Sequence, residues 1–151
     1  MTADAKSSFV YVSYIKTTPE RIWEALITPE FVAQYWLGTR PDAEWKVGGA
    51  WKLVSRDGTI TDTGEITVFD PPKCLAIRWL NEWKPELKAE GWSLCTMEIE
   101  PADDAVKLTV THSIERANSE LVVAVSGGWP KILSNLKSLL ETGSVVIPAK
   151  V

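Results

Sequence analysis

The sequence predicts one α+β domain in which a curved antiparallel sheet of about six to seven strands wraps round a long C-terminal helix. A chain of 151 residues, 45% of them apolar, has the size and composition of one globular domain. Several segments alternate apolar and polar residues, which is typical of an antiparallel sheet with one solvent-exposed face. The last segment keeps a helical period instead. We expect residues 8–142 to form this domain and residues 1–7 and 143–151 to be flexible ends.

The first third of the chain predicts a strand followed by two short helices. Residues 9–16 are aromatic and β-branched, which favours a strand. Residues 17–20 read TTPE and supply a helix cap, a first-turn proline and an acidic residue. The same start signal returns as TPE at residues 28–30, and Gly38 suits the C′ position after a helix. We therefore expect two short helices with a break at Thr28.

The middle of the chain predicts the rest of the sheet. We expect a weak strand at 45–47 and regular strands at 50–56, 59–69, 75–81, 93–100 and 106–114. The pair Asp57-Gly58 is a strong hairpin signal. Residues 81–91 read as a polar loop that carries Trp83.

The last segment predicts the long helix. Apolar residues recur every three or four positions over 122–140, with Ser119 as the cap and Gly143 as the stop. Pro130 lacks a backbone donor, so we expect a kink or a new start near Trp129.

Composition and charge exclude several classes of function. The net charge of −4 without a basic stripe argues against nucleic acid as a partner. No apolar run approaches the ~20 residues of a membrane span, and residues 1–8 do not read as a secretory signal, so we expect a cytoplasmic protein. A single histidine and two cysteines without a CxxC motif offer no zinc site. We expect neither a metal nor a cofactor.

Several motifs occur in a particular order along the chain. They are PERIWEAL at 19–26, TPEF at 28–31, Trp36, the glycine pair at 48–49, DPP at 70–72 and GW at 128–129 followed by ILxxL. In order and spacing, the chain resembles the AHSA1-like branch of the START-like (SRPBCC) superfamily over about residues 8–141. This branch is named after the C-terminal domain of the Hsp90 ATPase activator.

The resemblance implies a helix-grip fold with a cavity between the sheet and the last helix. Members and more distant relatives include a co-chaperone domain with a role in the stress response, lipid carriers and aromatic polyketide cyclases. The co-chaperone has a further N-terminal domain, whereas eight residues precede Phe9 here. Hsp90 is therefore not the partner that we expect first.

Tryptophan is the unusual residue of this composition. The chain has eight Trp but three Phe and three Tyr, and pocket walls are typically apolar and aromatic. Because the family has a cavity and the strands turn apolar side chains inward, we expect these side chains to form an apolar wall that binds a ligand. Its residues are Trp36, Trp51, Leu53, Trp79, Met97, Val110, His112, Trp129 and Leu133. The alternative for each of them is ordinary core packing.

His112 is the sharpest candidate for chemistry because it shares the inward register of Val110. Three interpretations stay open: a core histidine bonded to a Trp N–H or a hydroxyl, a ligand contact, and a general base. No second acid or base shares this register, and Asp62 and Glu65 are not expected to converge on a pocket. We therefore expect non-enzymatic binding of a small hydrophobic or aromatic ligand. An Hsp90-type interaction module, a cyclase- or hydrolase-like enzyme using His112, and a homodimer remain alternatives or additions.

Overall fold

The computed structural model describes residues 6–149, and what the sequence predicts for 1–5 and 150–151 lies outside the described residues. The elements are β1 (Ser7–Ile15), α1 (Pro19–Ile27), α2 (Pro29–Tyr35), β2 (Arg40–Ala43), β3 (Ala50–Val54), β4 (Ile60–Asp70), β5 (Cys74–Asn81), α3 (Pro85–Lys88), β6 (Ser93–Ala102), β7 (Ala105–Ile114) and α4 (Glu120–Thr142). The strands form one antiparallel sheet in the order β1-β7-β6-β5-β4-β3-β2. The predicted α+β helix-grip class is confirmed.

The two short helices begin where the sequence predicts. Thr18 caps α1 by accepting the backbone N–H of Arg21 over 3.2 Å, and Pro19 fills the first turn. Thr28 ends α1 and precedes Pro29 of α2, although its side chain forms no capping bond. Two successive TPE-type signals thus produce two helices instead of one.

The end of α2 differs by one residue from the prediction. Trp36 is the C-cap, and Leu37, with φ of 53°, occupies the left-handed C′ position that we expected for Gly38. Gly38 is the C″ residue and donates its N–H to the Ala33 carbonyl over 2.9 Å, as in a Schellman motif. A left-handed Leu is strained by roughly 1 kcal/mol or more, so Trp36 stands beside a strained turn.

The weak strand expected at 45–47 is wrong. The strand in this region is β2, and residues 45–47 belong to the turn that leads to Gly49. Pro41 argues against a central strand, but β2 lies at the sheet edge, where a missing N–H is tolerated. The expected polar loop at 81–91 also contains the short helix α3.

The sequence predicts a kink or a new start near Trp129; the helix α4 runs without a break, so there is no new start, and the kink stays a prediction. Ser119 caps it by accepting the N–H of Val122 over 3.1 Å, and Gly143 ends it with φ of 88°, both as predicted. Pro130 lies inside the helix. Buried residues lie on both sides of the proline: Leu121 packs with Leu87 and Ile114, whereas Leu133 and Leu136 belong to the main core.

The helix α4 follows β1 along its whole length. At one end the Ser119 N–H donates to Ser7 Oγ over 3.1 Å. At the other end Lys137 donates to the Tyr14 carbonyl, and the Lys16 N–H donates to Glu141 over 2.8 Å. The helix thereby covers this edge of the sheet. Within residues 6–149, no helix is both long and apolar enough to cross a membrane.

Candidate functional site

Four tryptophans, from β3, β5, α4 and the C-cap of α2, meet between the sheet and α4. The Trp51 and Trp79 ring centroids are 4.5 Å apart, and Trp36 packs edge-on against Trp129 at 5.1 Å. Trp79 also lies at 6.3 Å from Trp36 and 6.1 Å from Trp129, so it joins the two pairs into one cluster. Of the eight tryptophans in the chain, these are the four that we expect in the ligand-binding wall.

Gly64 allows the closest of these contacts. In the sheet register it lies on β4 between Trp51 of β3 and Trp79 of β5. A Cβ at this glycine would come within 2.2 Å of the Arg78 carbonyl oxygen. Because no side chain is present at this position, the two indoles meet across the middle strand.

His112 lies at the base of the cluster with none of its surface exposed. Trp129 donates its indole N–H to Nδ1 over 3.2 Å, and Nε2 lies 2.8 Å from Ser93 Oγ. An indole N–H can only donate, so Nδ1 is the unprotonated nitrogen and the ring proton sits on Nε2. His112 therefore donates to Ser93.

This arrangement limits the chemistry of His112. Burial lowers its pKa to about 4, so the ring is neutral at pH 7. The basic lone pair on Nδ1 accepts the N–H of Trp129, and the proton on Nε2 is donated to Ser93. A general base needs that lone pair free for the substrate or for a serine hydroxyl. The geometry fits the structural interpretation of this histidine and gives no support to a cyclase or hydrolase mechanism.

Asp62 and Ser93 belong to the site but were not selected from the sequence. Asp62 accepts the Trp79 indole N–H over 2.7 Å. Burial raises the pKa of this carboxyl group, and this effect exceeds that of the hydrogen bonds from Thr61 and Trp79, which lower it. The signal that could have found it is its alternation with Ile66, which places both residues on the inward face of β4.

Two small hollows lie against both Trp36 and Trp79, and a separate depression of about 370 Å³ over β2, β3 and β4 touches the cluster at Trp51 alone. One of about 70 Å³ is lined by Trp36, Trp79, His112, Val125, Gly128, Trp129 and Ile132. The other, of about 20 Å³, is lined by Leu26, Val32, Tyr35, Trp36, Pro41, Trp51, Leu53, Leu75, Ile77, Trp79 and Met97. Trp36 and Trp79 are common to both. Val110 and Leu133 border neither hollow and are buried in the core.

Neither hollow has the size of a preformed ligand pocket. Such pockets typically measure roughly 300–1,000 Å³, whereas about 10–15 Å³ suffices for one water molecule. The indoles therefore fill most of the space that the resemblance implies between sheet and helix. The volume available to a ligand depends on whether one of these rings moves.

Metal binding and thiol chemistry are two other properties that a site could have. Within residues 6–149, no group of three or more His, Cys, Asp or Glu side chains is placed to hold a metal ion. Cys74 and Cys95 are free thiols, and burial raises the pKa of each. A raised pKa disfavours the reactive thiolate.

Solved structures share this fold at low sequence identity. Protein MLL2253 from Mesorhizobium loti is 23% identical, with a TM-score of 0.77 over 92% of this chain and 100% of that one. The Aha1 dimer from Colwellia psychrerythraea is 20% identical, with a TM-score of 0.72 over 91% and 98%. An HSP90 activator from Plasmodium falciparum is 21% identical, with a TM-score of 0.68 over 88% and 95%.

A search of curated proteins gives no significant match. The family model described as "Activator of Hsp90 ATPase homolog 1-like protein" matches residues 16–141. This range spans both short helices, the whole sheet after β1 and nearly all of α4. The chain belongs to the AHSA1 family.

Proposed function

We propose that the protein binds a small hydrophobic or aromatic molecule between the sheet and α4, in space that opens when the Trp36 indole moves. Trp36 forms a wall of both hollows. It is half-buried at the end of a seven-residue helix, whereas Trp51, Trp79 and Trp129 are at most 5% exposed. The position of this one ring between the two hollows is the observation that carries the proposal.

The chemistry of the wall indicates an apolar ligand. The N–H groups of Trp79 and Trp129 are already donated to Asp62 and His112. Both nitrogens of His112 are bonded as well. A polar group of a ligand buried here would lose its water without gaining a partner, at a cost of about 1–3 kcal/mol. Ring faces and aliphatic carbons therefore favour a ligand without hydrogen-bonding groups.

The size of the site suits one or two aromatic rings. An engineered apolar cavity of about 150 Å³ binds benzene. The two hollows are smaller than this, but displacing one indole joins them and adds the volume of the ring itself. Long acyl chains would need further rearrangement of the core.

The proposal is tested with toluene and phenol as matched probes of nearly equal size. We expect toluene to change tryptophan emission and raise the melting temperature, and to bind about tenfold more tightly than phenol. The Trp36→Ala variant should bind toluene more tightly than the wild type because it begins with the wall removed. Trp83→Ala removes an indole that is 60% exposed, and this variant should bind toluene as tightly as the wild type does. If toluene, up to its solubility limit, changes neither the emission nor the melting temperature of the wild type and of Trp36→Ala, the proposal is wrong.

A second candidate is an Hsp90-type interaction module, supported by the family description and by one surface feature. The outer face of β1 exposes Val10, Val12 and Tyr14 at 56%, 42% and 55%. Exposed apolar strips of this kind often mark protein contacts. The assay is the ATPase rate of a bacterial-type Hsp90. A rate change that a Val10→Lys/Val12→Lys double variant abolishes, and that Val123→Lys on α4 leaves intact, would favour this function.

Two further properties belong to the proposal. We propose that the protein acts in the cytoplasm, a reducing compartment that agrees with its two free cysteines. A homodimer is also proposed, since the relative from Colwellia psychrerythraea is described as a dimer. Sedimentation velocity over a concentration series measures the oligomeric state.

A further inference from the structure

Asn135, in the middle of α4, is a buried side chain that joins three segments of the chain. It is 0% exposed. Its Nδ2 donates to the Tyr35 carbonyl over 3.2 Å and to the Ile147 carbonyl over 2.7 Å. Its Oδ1 accepts the N–H groups of Val146 and Ile147 over 3.0 and 2.7 Å. These four bonds use the full capacity of one primary amide.

One of these bonds holds the residue directly before Trp36. Tyr35 is the last residue of α2, and its carbonyl lacks an intrahelical partner because the helix ends there. Asn135 supplies the missing donor. On the other side of Trp36, Leu37 occupies the strained left-handed position. Asn135 therefore helps to fix the backbone that carries the Trp36 ring, together with the bonds from the Trp36 N–H to the Val32 carbonyl and from the Thr39 N–H to the Trp36 carbonyl.

The other three bonds tie the segment 144–147 to the same amide. This segment follows the end of α4 and turns back along it, since Val146 and Ile147 reach Asn135 two turns before Gly143. Val145 packs against the core and the Ser144 carbonyl accepts Ser138 Oγ over 2.6 Å, whereas the Val146 side chain is 62% exposed, so backbone bonds to Asn135 are what hold Val146 itself. If these bonds break, the Asn135 amide loses three of the four contacts that fix its orientation.

We infer that the segment 144–147 regulates the Trp36 wall: docked on Asn135 it holds the end of α2 in place, and released it lets the ring move. This regulation rests on the proposed ligand-binding function, although its first step concerns the protein alone. Binding of an apolar ligand and docking of the segment oppose each other, because each requires a different position of Trp36. By linkage, ligand must also weaken the docking.

The first experiment needs no ligand. Val146→Pro removes the N–H donated to Asn135, whereas Val146→Ala keeps it and serves as the matched control. We expect the Trp36 and Gly38 amides, which close the end of α2, to exchange hydrogen about tenfold faster in the proline variant. The alanine variant should exchange as the wild type does, and the Cys95 amide in the sheet should stay protected in both. Equal exchange of the Trp36 and Gly38 amides in the two variants would overturn the inference.

The second experiment adds toluene as the probe. We expect Val146→Pro to bind it several-fold more tightly than Val146→Ala, and toluene to speed the exchange of the Val146 and Ile147 amides in the wild type. Absence of toluene binding in every variant, including Trp36→Ala, would refute the ligand function. Faster Trp36 exchange in Val146→Pro would still show that the segment controls α2. Toluene affinity that is equal in the two Val146 variants would refute the regulation alone.

Discussion

The indole N–H of Trp129 donates to Nδ1 of His112 over 3.2 Å, and this bond connects α4 to β7 across the core. Both side chains are buried, at 4% and 0% exposure. The bond fixes the histidine tautomer and the orientation of the indole at the same time. A polar pair of this kind specifies how the helix seats on the sheet, since neither group finds another partner if the helix slides.

Removing the donor of this bond should destabilise the folded protein. We expect Trp129→Phe to reduce the free energy of unfolding by about 2–4 kcal/mol, because it leaves Nδ1 unsatisfied and opens a gap in the ring cluster. Trp92→Phe is the control, since Trp92 is 41% exposed and should stay within about 0.5 kcal/mol of the wild type. Urea unfolding measures both. A Trp129→Phe variant as stable as Trp92→Phe would show that the bond contributes nothing.

The buried histidine should make stability depend on pH in mildly acidic solution. The pKa of His112 falls from 6.5 in the unfolded chain to about 4 in the folded one. Between these values the unfolded chain binds one more proton, so the free energy of unfolding decreases as the pH falls from 6.5 towards 4. The total loss is on the order of 3 kcal/mol.

The variant His112→Gln isolates this effect. It has no ring to titrate, so its unfolding free energy should fall less than that of the wild type between pH 7 and pH 4.5. Both proteins keep their other ionisable groups, and the difference between the two curves therefore belongs to His112. Parallel curves over this range would contradict the prediction.

The glycine between the two indoles provides a sharper steric test. We expect Gly64→Ala to destabilise the fold by several kcal/mol, because its Cβ would clash with the Arg78 carbonyl, which is backbone and cannot turn aside. Gly127→Ala is the matched control on α4, where, among the described residues and apart from the helix's own backbone, nothing lies within 4 Å of the new Cβ. That variant should gain up to about 1 kcal/mol from helix propensity. Similar melting temperatures for the two variants would rule out the close approach at Gly64.

Most of the fold could be predicted from local sequence signals and from the periodicity of apolar residues. The threonine-proline starts at Pro19 and Pro29 and the Ser119 and Gly143 ends of α4 depend on neighbouring residues alone, so they are readable from the sequence. The strand β2 was missed because its Pro41 is acceptable only at a sheet edge, and edge position is set by the whole topology. The continuity of α4 through Pro130 could not be predicted from the local signal of the proline, because the residues buried on both sides of it are known only from the packing.

The site was predictable in register but not in detail. Alternation along β7 placed His112 inward, and the sheet brings it within hydrogen-bond distance of Trp129. Ser93, the partner of His112, lies on β6, and Asp62, the partner of Trp79, lies on β4. Pairing between strands that are distant in the chain cannot be read from the pattern of one strand. The tight filling of the space by the rings depends on side-chain packing in three dimensions. The sequence pattern alone carries no measure of it.

A carboxylate in the loop after α3 also stabilises the start of α4. Glu90 accepts the Ser119 hydroxyl over 2.6 Å and the Glu120 N–H over 2.8 Å. Burial alone would raise the pKa of Glu90, but these hydrogen bonds and that of the Leu121 N–H lower it below its ordinary value. The negative charge also faces the positive end of the helix.

We therefore expect Glu90→Ala to lower the free energy of unfolding by about 1–2 kcal/mol at pH 7, as the loss of a helix cap does. Glu86→Ala, an exposed acidic residue of α3, is the control and should have little effect. Because the folded pKa of Glu90 is depressed, its contribution is present above pH 4.5 and is lost as the pH falls below that value. The gap between wild type and Glu90→Ala in urea unfolding should therefore narrow below pH 4.5, and a gap that stays constant into acid would show that the ionised carboxylate is not the stabilising group.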